Sequence, residues 1–374
     1  MNIAIYGSGK FGQKLQKRLQ ECCDINIVCF IETIAEKKTV NGTINVDLKH
    51  FFSEYQKNTD LIIIAVMDFQ ARSAMINNLK EFEKDVYIAR NELYDDETKI
   101  NKNLFAYINI HDDRPFMPYL EIPIVEHCNL NCRNCGVVCN NMVPKQCMSV
   151  ESFEKDIKRM SELCQNIFKI RIFGGEPLLH PQLDIILNIA RKYFEKSDIR
   201  IVTNGLLFFK VQKKILDALI KNNIIVDISC YEPTMKMIDK IKNLLDENNI
   251  LYNITHVKEF AKWLTLDDTH DEKISEKICW AKTCRYLNNG KISKCPRRTE
   301  MERLSNQFGV HFDIYENEDW FDIHNQNIDM VDVIEKLNRP THICKYCTDK
   351  KVEVFPWQGS VLTPELNDYI IENE

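Results

Sequence analysis

Apolar residues in the first ninety positions come in short runs. Asn2–Tyr6 is one, Ile25–Ile31 a second, and Leu61–Val66 the strongest. Runs of this length predict buried strands. Between the first two, Phe11, Leu15 and Leu19 recur every fourth residue, the spacing of an amphipathic helix. A helix over about 69–82 and a short strand Val86–Ala89 complete this block. The rhythm resumes at 119, with strands expected at Tyr119–Val125, Lys169–Phe173, Asp198–Val202, Ile224–Ser229 and Ile250–Thr255. Helical patterns fill the gaps, at about 149–165, 182–195, 211–222 and 234–248. Strand and helix alternating at regular spacing predict parallel βα units, and so an α/β fold. Residues 96–116 are polar and irregular and read as a linker; beyond 260 the rhythm stops. The expected organisation is therefore 1–95, a linker 96–116, 117–260 and 261–374.

Composition narrows the function. The chain has 374 residues, 44% of them hydrophobic, which is enough for packed cores. Its net charge is −6 and no long basic run stands out, so nucleic acid is not an expected partner. The start lacks a basic segment followed by an apolar run, and the longest apolar stretch, Leu61–Met67, is too short to span a bilayer. The expected location is the cytoplasm, where disulfides are rare. The 15 cysteines are then buried hydrophobes or metal and cluster ligands, and their spacing has to decide.

Gly7-Ser8-Gly9-Lys10-Phe11-Gly12 follows the first strand and opens the first helix, and Glu32 ends the second strand about 20 residues later. That is the arrangement of a dinucleotide-binding loop, so the first 95 residues are expected to form a small Rossmann-like parallel sheet. The same loop also fits a module that binds nothing or serves only for docking. Cys128, Cys132 and Cys135 form C-x3-C-x2-C directly after the strand at 119–125. Three thiolates at this spacing suit three irons of a cubane cluster and leave the fourth iron open; Cys139 and Cys147 lie near enough to keep zinc in play. Gly174-Gly175-Glu176-Pro177 follows the next strand, Thr203-Asn204-Gly205 the one after, and Ser229 ends the fourth, with Asp227 on the same strand face and Cys230 beside it. All these motifs fall at the C-terminal ends of strands, where βα folds carry their chemistry.

These motifs, in this order, resemble the radical S-adenosylmethionine (radical SAM) enzymes over about 140 residues. The resemblance implies a partial (β/α)6 barrel in which Cys128, Cys132 and Cys135 hold a 4Fe–4S cluster. It implies that Gly174, Gly175, Glu176 and Pro177 bind the methionine end of S-adenosylmethionine, with Asn204 and Ser229 in the same site. Cys230 is a candidate donor of a hydrogen atom to a substrate radical. Asn134, before the third cysteine, departs from the aromatic or apolar residue often found there and leaves the adenine contact unassigned. Further on, Cys279, Cys284, Gly290, Cys295, Cys344 and Cys347 resemble the auxiliary-cluster (Twitch or SPASM type) extension of such enzymes. This implies a small C-terminal domain with a second 4Fe–4S cluster on Cys295, Cys344, Cys347 and Cys279, which fits the family spacing best as the fourth ligand, with Cys284 the competitor; a structural zinc is the chemical alternative. Arg297-Arg298 reads as a contact for an anionic substrate group or as a solvated pair. A flavodoxin or ferredoxin-type protein would supply electrons. The N-terminal segment is similar to small domains at the front of sugar O- and N-acyltransferases, which favours a nucleotide-linked sugar or glycan precursor as the small-molecule substrate. Rival readings are peptide modification, glycyl-radical activation, a non-enzymatic iron–sulfur or zinc redox sensor, and an NAD-dependent dehydrogenase.

Overall fold

The computed structural model describes residues 1–22, 24–90, 93, 104–139, 145–359 and 363–371. They form two compact units, Met1–Pro118 and Tyr119–Glu374.

The first unit is built on a seven-stranded sheet in the order β3-β4-β2-β1-β5-β6-β7. Its strands are β1 (Asn2–Tyr6), β2 (Asn26–Glu32), β3 (Thr39–Val40), β4 (Thr43–Asp47), β5 (Leu61–Ile64), β6 (Asp85–Ala89) and β7 (Phe105–Ile108). The five central strands are parallel, while β3 and β7 run antiparallel at the edges. Helix Lys10–Cys22 buries Phe11, Leu15 and Leu19 against Ile3, Ile5 and Ile63, as the four-residue spacing requires. The chain departs from the expected linker at β7. There Ala106 and Ile108 alternate with half-buried Phe105 and Tyr107, a period-two pattern that extends the sheet. Residues 96–103 of that segment lie outside the described residues.

The second unit carries an eight-stranded sheet in the order β12-β11-β10-β9-β8-β14-β15-β16. Five strands follow one another in the chain: β8 (Phe116–Val125), β9 (Asn166–Gly174), β10 (Asp198–Thr203), β11 (Ile225–Cys230) and β12 (Tyr252–His256). β9 to β12 pair in parallel, and helices Val150–Leu163, Leu183–Tyr193, Lys213–Lys221 and Ile238–Glu247 lie in turn between the successive strands from β8 to β12. The sheet stays open. The next strand, β13 (Glu259–Lys262), leaves it and pairs antiparallel with β17 (Glu353–Pro356). On the other side of β8 the sheet continues with β14 (Tyr286–Asn288), β15 (Lys291–Ser293) and β16 (Trp320–Asp322). β14 and β15 form a hairpin. Asn289 and Gly290 both have positive φ, 50° and 74°, which a two-residue turn between twisted strands demands. No helix among the described residues is long and apolar enough to cross a membrane.

Charged residues run across four strands of this sheet. Arg171 Nη1 on β9 donates to Glu121 of β8 at 3.1 Å, and its Nε lies 3.3 Å from Asp227 of β11. Arg200 on β10 reaches both Asp227 (3.1 Å) and Asp198 (2.7 Å). Asp227 thus serves to lock strands together, and losing it would leave two guanidinium groups short of a counter-charge.

Candidate functional site

The strand ends of the second unit open into a cavity of about 600 Å³. Gly174 and Gly175, at the end of β9, form part of its wall. Both are required to be glycine. Gly174 has φ +138° and its Cβ would lie 2.2 Å from the Val125 carbonyl oxygen; a Cβ on Gly175 would lie 2.1 Å from that of His127. Gly175 N–H donates to Val125 (2.7 Å) and Glu176 N–H to His127 (3.0 Å), which presses this loop against the strand leading into the cysteine loop.

Cys128, Cys132 and Cys135 all face the cavity. Leu130 N–H points at Cys128 Sγ (3.4 Å) and the indole N–H of Trp357 donates to Cys132 Sγ (3.2 Å). Cys139 stands 3.3 Å from Cys135, sulfur to sulfur. Its hydrogen bond pulls the Cys135 thiol down to about 7. Burial pushes Cys132 up to about 12, against the Trp357 contact. Asn134 lines the cavity with φ 50°, a left-handed conformation that asparagine tolerates, and its Nδ2 has no hydrogen-bond partner among the described residues. Asn204 Nδ2 donates to Asn129 Oδ1 at 2.7 Å, holding the cysteine loop to the end of β10. Ser229 also lines the cavity.

Three expected site residues, Glu176, Pro177 and Cys230, do not line the cavity. Glu176 is fully buried and is not among the lining residues. Its Oε1 accepts from Thr203 Oγ1 (2.7 Å) and Leu178 N–H (3.0 Å), and its Oε2 from Asn204 N–H (2.9 Å). It ties the β9 loop to the β10 loop, and Pro177 opens the short 3-10 turn that aims Leu178 N–H at it. Cys230 is buried and off the cavity, because alternation along β11 turns it to the face opposite Ser229.

Burial raises the Glu176 carboxyl from 4.5 to about 7, against the three donors. Between those values the folded protein holds a proton that the unfolded chain releases, so stability falls as pH rises from about 4.5 to about 7. In Glu176→Gln that contribution disappears, and the amide sets an N–H against an N–H or O–H donor at a cost of about 1–3 kcal/mol. Urea unfolding of the cluster-free protein at acid and neutral pH should show both effects.

Cys279, Cys295, Cys344 and Cys347 line the same cavity as the triad. Cys284 does not; it packs into the hydrophobic cluster with Met301, Leu304 and Ile343. Burial pushes Cys295 up to about 12 and raises Cys344 and Cys347. Lys294 and Arg297 stand on this wall too. Burial opposes the Arg297 charge, but Glu300, with which it pairs, and the thiols of Cys347 and Cys295 outweigh it. Arg298 is turned into the core, bonded to Glu302 (2.6 Å) and Thr299 (3.0 Å), so the pair is neither solvated nor jointly on the cavity. Among the described residues no three His, Cys, Asp or Glu side chains converge as a single-ion site requires. The cysteines that line the cavity, Cys139 included, offer thiolate donors of the kind iron–sulfur clusters take, with Lys294 and Arg297 lining it too.

Residues 122–263 match the Radical SAM superfamily model. The central segment is a radical SAM domain. Such domains are catalytic and work with a 4Fe–4S cluster and S-adenosylmethionine. The chain is similar to GTP 3',8-cyclase of Aliarcobacter butzleri, 35% identical over 125 residues, covering 33% of this chain and 38% of that protein. A probable GTP 3',8-cyclase of Methanococcus aeolicus is 39% identical over 101 residues, 26% of this chain and 33% of that one. The chain thus spans well under half the length of these relatives. Among solved structures, BtrN in complex with AdoMet and 2-DOIA is 16% identical, with TM-score 0.38, covering 69% of this chain and all of that one.

Proposed function

We propose that the chain is a radical SAM enzyme with two 4Fe–4S clusters that acts on a nucleotide-bearing small molecule held between them. One observation carries this reading: Cys128, Cys132 and Cys135 share a single cavity with Cys279, Cys295, Cys344 and Cys347. In this reading the first three thiols hold the cluster that takes S-adenosylmethionine, and the other four hold the second. When bound, cluster and S-adenosylmethionine together supply a 5′-deoxyadenosyl radical able to take a hydrogen atom from substrate.

The residues of the chain do the orienting. Gly174 and Gly175 let the backbone approach the cofactor's methionine end, where side chains would block it. Ser229 offers a hydroxyl to the ribose, and the unpartnered Asn134 amide offers a donor to the adenine. Arg297 and Lys294 place positive charge on the wall shared with the second cysteine set, which suits an anionic substrate group. The names of the relatives favour a nucleotide over a glycan precursor without a nucleotide. A flavodoxin or ferredoxin-type protein is the proposed electron donor.

The test uses the reconstituted protein under anaerobic conditions with S-adenosylmethionine, dithionite and deuterated nucleotides or nucleotide-sugars. The reading expects deuterium in the 5′-deoxyadenosine with at least one of them. Transfer from a peptide alone would move the chain to peptide modification.

A further inference from the structure

The N-terminal unit has a cavity of its own, about 510 Å³, which the reading above does not use. It lies at the C-terminal ends of β1 and β2. Ser8, Gly9 and Lys10 line one side at the start of helix Lys10–Cys22; Glu32 and Asn45 line the other. Its volume is that of an ordinary small-ligand site.

The three glycines of the loop differ in what the fold asks of them. Gly7 has φ +113°, and its Cβ would meet the Ala65 carbonyl oxygen at 2.8 Å. A Cβ on Gly12 would lie 1.8 Å from the Gly7 carbonyl oxygen. Both are therefore demanded by packing. Gly9 is not: its φ is outside the left-handed region, and nothing lies within 4 Å of the Cβ position. The open space above it faces the first turn of a 13-residue helix that has no acidic residue there. The positive end of the helix dipole favours an anion at that point.

An independent observation marks the opposite wall. Asn45 is 5% exposed. Its Nδ2 donates to Glu32 Oε2 (3.1 Å) and to the Lys37 carbonyl (3.0 Å). Both partners are acceptors, so the amide cannot be turned over. That leaves Oδ1 buried with no hydrogen-bond partner among the described residues, an arrangement native proteins rarely leave unmet. Beside it, Glu32 Oε1 accepts from Ser8 Oγ. One wall therefore presents acceptors to hydroxyl groups and the other a seat for phosphate. We propose that this cavity binds a nucleoside diphosphate, free or as part of a larger nucleotide. The pyrophosphate sits over Gly9 at the helix N-terminus, and the ribose hydroxyls face Asn45 Oδ1 and Glu32. The inference is independent of the radical SAM reading, since no residue is shared.

Isothermal titration of the full chain with ADP, GDP, UDP, NAD and a UDP-sugar tests it, with adenosine, 2′-deoxy-ADP and inorganic phosphate as controls. At least one diphosphate should bind with a Kd well below about 1 mM. Adenosine and inorganic phosphate should bind about tenfold more weakly or worse, because each meets only one wall. If ADP is the binder, 2′-deoxy-ADP should be weakened similarly through the lost hydroxyl. NAD against ADP, and the UDP-sugar against UDP, tell a larger nucleotide from a free diphosphate. Gly9→Asp is the deciding variant. Its Cβ has room and aspartate is a favoured helix cap, so the thermal midpoint should hold while binding falls about tenfold or more. Loss of binding in Gly9→Asp with binding kept in the Cys128, Cys132, Cys135 triple alanine variant assigns the site to this unit. No binding by any diphosphate, binding indifferent to Gly9→Asp, or inorganic phosphate binding as tightly as the diphosphates would overturn the proposal.

Discussion

Replacing Cys128, Cys132 and Cys135 together by alanine should remove about half of the iron that the reconstituted chain holds and abolish 5′-deoxyadenosine formation. The three thiols face one cavity, and a cluster held by three cysteines loses its site with them. The second set stands on other elements, from Cys279 to Cys347, so its iron should stay. Iron and sulfide counts per chain, with anaerobic product analysis, read both effects. The converse follows for Cys295, Cys344 and Cys347. Their replacement should spare the first cluster's share, and Cys284→Ala should leave the iron count unchanged, because Cys284 is not among the residues that line the cavity. Full loss of iron in the triad variant would mean the two sets are one site.

The second large effect is steric. Gly175→Ala should destabilise the second unit by roughly 3 kcal/mol and strip it of S-adenosylmethionine binding. The methyl group would lie 2.1 Å from a backbone oxygen in the chain leading to Cys128, so either the β9 loop or the cysteine loop must move. Gly174→Ala should act alike, with left-handed strain added at φ +138°. Gly205→Ala is a measured contrast. It has φ +77°, but its Cβ would meet only side-chain carbons at 3.3 Å and beyond, so it should cost less. Urea unfolding ranks the three, and S-adenosylmethionine titration shows whether the cofactor site follows.

The strands were legible because each is a short apolar run bounded by polar turns. β1, β9, β10 and β11 lie within a few residues of their expected positions. That Cys128, Cys132 and Cys135 would share one cavity was legible by spacing, since C-x3-C-x2-C keeps them within one loop. What could not be read depends on residues distant in the chain. Trp357 reaches Cys132 across 225 positions, and β17 pairs with β13 across almost a hundred. The inward turn of Glu176 follows from Thr203 Oγ1 and the Asn204 N–H, one strand away, which no local motif reveals. β7 went unseen because a four-residue edge strand carries too little apolar signal beside the polar stretch before it. That Cys279 lines the cavity while Cys284 does not depends likewise on the tertiary fold, not on spacing.

The most direct measurement is an anaerobic assay of 5′-deoxyadenosine from S-adenosylmethionine and dithionite, on protein reconstituted with iron and sulfide and given the nucleotide panel above. The account predicts product in the wild-type chain and none in the triad variant. A fully loaded, reducible cluster that yields no 5′-deoxyadenosine with any nucleotide or peptide would contradict it.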